Sequence, residues 1–113
     1  MQAMTRNEIK ACREAEIRVL AERGADNPSR LYNRLVRYAC RFMRYGEASN
    51  DANTFKSEWS REAHAHEFSL LAVLEKRLGE ELEPLGLEFE YPGLWPLVID
   101  KESHGHVLWL YHY

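Results

Sequence analysis

Cysteines, phosphate-binding glycine loops and long apolar runs are scarce or missing in this chain, and each shortage removes a class of protein. The two cysteines, Cys12 and Cys40, lie far apart and form no C-x-x-C pair. Neither a disulfide scaffold nor a thiolate zinc module is therefore indicated, and both read as reduced, partly buried thiols. No apolar run approaches the ~20 residues needed to span a bilayer. The first residues are polar and charged, unlike an apolar export signal. The expectation is a cytoplasmic protein with no place in a membrane. The phosphate-loop pattern G-x-x-x-x-G-K-[ST] and the dinucleotide pattern G-x-G-x-x-G do not occur, and no nucleophile sits in a G-x-S-x-G turn. Glu58, Glu62, Glu80 and Glu81 read as solvated helix faces rather than acid–base pairs. The chain is thus expected to be no enzyme and to need no cofactor. Its 113 residues, 45% hydrophobic and 29% charged, fit one ordinary folded domain with a small core.

One stretch lacks a whole sign of charge. Residues 28–45, PSRLYNRLVRYACRFMRY, contain no acidic side chain. Asn27 suits an N-cap, Pro28 the first helical position and Gly46 a stop. Arg30, Arg34, Arg37, Arg41 and Arg44 recur at steps of four, three, four and three, so all five fall within an arc of about 80° on a helix. Leu31, Tyr32, Leu35, Val36, Ala39, Phe42 and Met43 fall on the other side. Of the formal net charge of −3, this helix carries +5 and the rest of the chain −8. Guanidinium forks bind carboxylates or phosphates bidentately, with Tyr38 and Tyr45 flanking the ridge as stacking candidates. Acidic surroundings favour an acidic protein surface over nucleic acid as the partner. Internal pairing with glutamates of the preceding helix is the competing structural explanation.

Around this ridge the pattern is α+β: three helices, near 6–23, 28–45 and 54–82, followed by a small three-stranded antiparallel sheet. Thr5 and Glu8 form a capping box before the first helix, and Gly24 ends it. The short loop after Gly24 predicts an antiparallel pair of helices. A third helix is expected to start near Asn53 or Thr54. Its first apolar stripe is Phe55, Trp59, Ala63, His66, Leu70, Val73 and Leu74, and Leu71, Leu78 and Leu82 extend it around the axis. His66 lies on that stripe and reads as a core histidine, with His64 exposed. Gly79 weakens the last turn. The period then becomes two. Strands are expected at 87–91, at 95–100 with Pro96 forcing an edge position or a late start, and at 106–113. In the last strand Val107, Trp109, Tyr111 and Tyr113 alternate with His106, Leu108, Leu110 and His112. Both faces are apolar, so one suits a partner or a second copy of the chain.

The run LEKRLGEELEPLGLEFEYPGLWP, from Leu74 to Pro96, carries a helix through "LGL" into a short aromatic strand. In this it resembles the C-terminal half of small proteins encoded by phages and other mobile elements. Some of these are similar to inhibitors of host defence systems, anti-CRISPR proteins among them, that act by binding host proteins. The resemblance implies a binding protein and does not include the arginine helix.

Two further sets of residues are candidates for function. Asp100, Glu102, His104 and His106 alternate as metal ligands on a strand might, but Ser103 and Gly105 make the segment a loop, which leaves His104 and His106 as weak metal candidates. Tyr45, Trp95, Trp109 and Tyr111 are the aromatic anchors a protein interface would use. The functional expectation is non-enzymatic binding of a protein partner through Arg30, Arg34, Arg37, Arg41 and Arg44 or through these aromatics, with nucleic-acid binding by the same ridge as the alternative.

Overall fold

The structure, a computed structural model, describes residues 3–49 and 57–111. Three helices, α1 (Arg6–Glu22), α2 (Pro28–Ser49) and α3 (Glu58–Leu82), precede strands β1 (Leu87–Glu90), β2 (Leu97–Asp100) and β3 (His106–Leu108). The strands form one antiparallel sheet in the order β1-β2-β3. The α+β class follows directly from the change of hydrophobic period near residue 86.

Local signals set most of the helix ends. The Thr5 hydroxyl accepts the Glu8 N–H at 3.1 Å and donates to the Glu8 carboxylate at 3.0 Å. Gly24 adopts φ +100°, the left-handed conformation a helix stop requires. Its N–H donates to Ala21 O and that of Ala25 to Leu20 O, each at 3.0 Å, so the last carbonyls of α1 are satisfied by a complete Schellman motif. Asn27 Oδ1 accepts the Arg30 N–H at 3.2 Å and caps α2.

One boundary differs from expectation. Gly46 does not stop α2, which continues to Ser49. A Cβ at Gly46 would stand 3.1 Å from Leu94 Cδ2, so the missing side chain makes room for the β1–β2 loop against the helix. The expected start of α3 near Asn53 or Thr54, and Phe55 with it, lies outside the described residues. The described helix begins at Glu58 behind extended Ser57, whose hydroxyl accepts the Ser60 N–H at 3.1 Å. Gly79 does not end α3, because Leu78 and Leu82 on either side are buried in the core.

α2 is the centre of the core. Leu31, Tyr32, Leu35, Val36, Tyr38 and Ala39 are buried between α1, α3 and the sheet, together with Leu20, Leu71, Leu78, Leu82, Leu87, Val98 and Leu108. The stripe of α3 read first from the sequence is not the buried one. Trp59 is 75% exposed and Val73 45% exposed, and Ala63 and His66 are exposed too. His66 is therefore no core histidine. Leu71, Leu78 and Leu82, rotated by about 120° from Trp59, face the core instead. His64, expected to be exposed, is half-buried under Tyr45, with ring centroids 4.3 Å apart.

A short 3-10 turn, Glu83–Leu85, leads from α3 to Gly86 at φ +72°. Arg23 clamps this corner. Its guanidinium donates to Leu85 O at 3.2 Å and pairs with Asp100 at 2.8 Å. The Ser103 N–H, this guanidinium and the Glu102 N–H hold the Asp100 carboxyl down at about 2. β2 starts late, after buried Pro96, and is the central strand rather than an edge. In the β2–β3 ladder Val98 faces Leu108 and Ile99 faces His106, a register shift that leaves Val107 as an extra residue. β3 is shorter than expected, ending at Leu108, and Leu110 sits at φ +58°. Burial still alternates beyond the end of the strand: Leu108 and Leu110 are both fully buried while Trp109 is 47% exposed. His112 and Tyr113 lie outside the described residues.

Candidate partner-binding face

The arginine ridge is divided by its own geometry. Arg34 and Arg41 lean toward α3 and are paired there: Arg34 Nη1 lies 2.6 Å from Glu81 Oε1, and Arg41 grips Glu67 bidentately at 3.0 and 3.2 Å. This bidentate contact is the main reason the Glu67 carboxyl lies below its ordinary range and the Arg41 guanidinium above its own. The glutamates that neutralise the ridge thus come from α3, not from α1. Helix periodicity explains which arginines are chosen. Residues 34 and 41 sit about 20–40° to one side of residue 30, and residues 37 and 44 as far to the other. Arg30, Arg37 and Arg44 are exposed, and no ion pair within 4.0 Å holds them among the described residues.

Beside this row runs an open groove of about 720 Å³, lined by Val36, Cys40, Ala48 and Tyr45 from α2 and by His64 and Glu67 from α3. Arg37, Arg41 and Arg44 edge it. Tyr45 stacks on His64 and lies 5.9 Å from the Phe68 ring. It forms a wall of the groove rather than a free stacking platform. Tyr38 flanks the ridge only in sequence, being 2% exposed. Its hydroxyl lies 2.8 Å from that of Tyr91 and 3.3 Å from Glu75, and Tyr91 donates to Glu75 at 2.9 Å. Burial pushes the Tyr38 phenol up to about 12 and raises that of Tyr91 further.

The C-terminal aromatics gather at a different place. Trp95 Nε1–H donates to Trp109 O at 3.0 Å, and Trp95, Trp109 and Tyr111 line a shallow hollow of about 400 Å³ with Met4, Ile9 and Leu97. This hollow and the α2 groove share no residue, so the two sets of anchors belong to separate surfaces.

The histidine alternation dissolves in the turn. Asp100 is occupied with capping, accepting the Glu102 and Ser103 N–H groups at 3.0 and 2.8 Å. His104 is exposed at φ +62°. His106 packs edge-on against Trp109 and places Nε2 3.2 Å from Glu90 Oε2, an ion-pair distance without hydrogen-bond alignment. Among the described residues no group of three or more His, Cys, Asp or Glu is arranged to hold a metal ion. Cys12 and Cys40 are free thiols.

Glu16 was missed as a special residue. Its carboxylate is 6% exposed. It accepts the Tyr32 hydroxyl at 2.7 Å and the backbone N–H groups of Leu110 at 3.0 Å and Trp109 at 2.5 Å. Burial, then this carboxylate, raises the Tyr32 phenol well above its ordinary range. The signal was available: Glu16 fills the i+4 position between Cys12 and Leu20 in an otherwise apolar row. Its position ties the C-terminal tail to α1, so the work it does is structural.

No helix among the described residues is long and apolar enough to cross a membrane. Comparison with protein-family models, curated proteins and solved structures finds no match.

Proposed function

We propose that the chain is a non-enzymatic binding protein whose α2 face receives an acidic helical segment of a partner protein in the cytoplasm. One observation carries this reading. Arg30, Arg37 and Arg44 recur at seven-residue intervals with no ion pair among the described residues, and Arg37 and Arg44 edge a groove lined by Val36, Cys40 and Ala48. Seven residues of helix rise about 10.5 Å. An amphipathic helix with one carboxylate per heptad repeats at the same interval, and its apolar stripe would meet Val36, Cys40 and Ala48. Phosphates of a nucleic-acid strand recur much more closely, about every 3.4 Å along the axis. If the resemblance of residues 74–96 to mobile-element proteins holds, a host defence or regulatory complex is the first class of partner to screen.

The test is fluorescence anisotropy with a labelled acidic amphipathic peptide and with labelled DNA and RNA, each across a salt series. The parent is compared with Arg30→Gln/Arg37→Gln/Arg44→Gln, three exposed changes that leave the paired arginines in place. The reading expects peptide binding that the variant loses. Nucleic-acid binding with a salt slope near −2.7, about 0.9 for each of three phosphates on B-DNA, and no peptide binding, would replace it with the nucleic-acid alternative. A peptide bound equally by the variant would remove α2 from the interface.

A further inference from the structure

Besides its core-facing side, α3 carries a second regular stripe on its exposed side. Trp59, Ala63, His66, Leu70, Val73 and Arg77 follow one another at steps of four, three, four, three and four. This is the alternation of a coiled-coil seam. The six positions lie within an arc of about 80° and run about 27 Å along the helix. All but Arg77 are residues that sequence alone would bury, yet in the described fold only Leu70 is partly covered: Trp59 is 75% exposed, Val73 45% exposed, and Ala63, His66 and Arg77 are exposed as well.

We propose that this stripe pairs antiparallel with the same stripe of a second copy of the chain. The order of spacings is the same read in either direction, so a two-fold axis near residue 68 places every seam residue opposite another. Trp59 then faces Arg77 of the second copy, an aromatic face against a guanidinium. Ala63 faces Val73, small against branched, and His66 faces Leu70.

The charges beside the seam select this orientation. On the open flank Glu62 of one copy comes beside Lys76 of the other, twice by symmetry, with Ser69 between them. On the flank nearer α2, Glu67 of each copy meets its counterpart, but each is already neutralised by its bidentate Arg41. A parallel, in-register pair is disfavoured on the same positions. It would stack Arg77 on Arg77 and take Glu62 away from Lys76, and like charges at a seam position oppose pairing. The occupant is therefore another copy in one orientation.

Sedimentation velocity on the full chain over a concentration series tests it. The expected result is a monomer–dimer equilibrium that Val73→Glu abolishes with an unchanged circular dichroism spectrum, Val73 being a surface residue. Glu62→Lys and Lys76→Glu should each weaken the dimer, since each sets like charges beside one another. The double variant Glu62→Lys/Lys76→Glu should restore it toward the parent. A parent that stays monomeric throughout overturns the proposal, as does a dimer indifferent to Val73→Glu. A double variant weaker than either single one overturns the antiparallel register.

Discussion

Replacing Glu16 by alanine would show how much of this fold depends on one buried carboxylate. The side chain closes three hydrogen bonds, to the Tyr32 hydroxyl and to the N–H groups of Trp109 and Leu110. Tyr32 and Leu110 are fully buried, so their donors find no water when the acceptor goes. A hydrogen bond to a charged group contributes about 1.5–3 kcal/mol net, and each buried donor left alone costs about 1–3 kcal/mol. These figures overlap and do not add. Part of the loss is recovered because alanine no longer holds a desolvated charge. The net expectation for Glu16→Ala is about 3–5 kcal/mol, a large share of the roughly 5–15 kcal/mol that stabilises a domain. Urea unfolding followed by tryptophan fluorescence measures it, with Glu14→Ala, an exposed neighbour on the same helix, as the control expected within about 0.5 kcal/mol of the parent. Hydrogen exchange adds a local reading: the Trp109 and Leu110 amides should lose protection before the α2 amides do. If Glu16→Ala and Glu14→Ala unfold at the same urea concentration, the carboxylate anchor is not what holds the tail, and the reasoning fails.

Alkaline pH should unfold the protein through its hydrogen-bonded phenols. The Tyr38 phenol is raised to about 12 and those of Tyr32 and Tyr91 are raised as well, so the folded state keeps protons that the unfolded chain releases. Their stabilisation is complete below pH ~10 and falls as pH rises through ~12, which thermal melts at stepped pH would detect; Tyr38→Phe should flatten the decline, and a melt unchanged between these values would refute it. Two glycines should respond oppositely to alanine in the same thermal melts. At Gly79, inside α3, an added Cβ meets nothing within 4 Å, so Gly79→Ala should gain about 0.8–1 kcal/mol of helix propensity. At Gly86, with φ +72°, Gly86→Ala should cost about 1–2 kcal/mol.

The order and type of the elements were legible because each carries its own local signal. The change from a helical to a two-residue period at Leu87, the Gly24 stop and the Asn27 cap depend on neighbours only a few residues away. Gly46 misled for the same reason: a glycine after a helical run reads as a stop, while its actual use is contact with Leu94, 48 positions on. Leu110 at positive φ had no local signal at all, because its conformation is held by the distant Glu16 carboxylate.

By itself, the sequence determined that five arginines share one side of a helix, that three helices lead into an antiparallel sheet, and that α3 has more than one apolar side. Only the tertiary structure decided that, among the described residues, Arg34 and Arg41 have carboxylate partners while Arg30, Arg37 and Arg44 have none, and that α3 buries Leu71, Leu78 and Leu82 while leaving Trp59 and Val73 exposed. The physical reason is common to both. Periodicity reports where a side chain lies around its own helix axis, and the packing of the next helix decides which of those directions points inward.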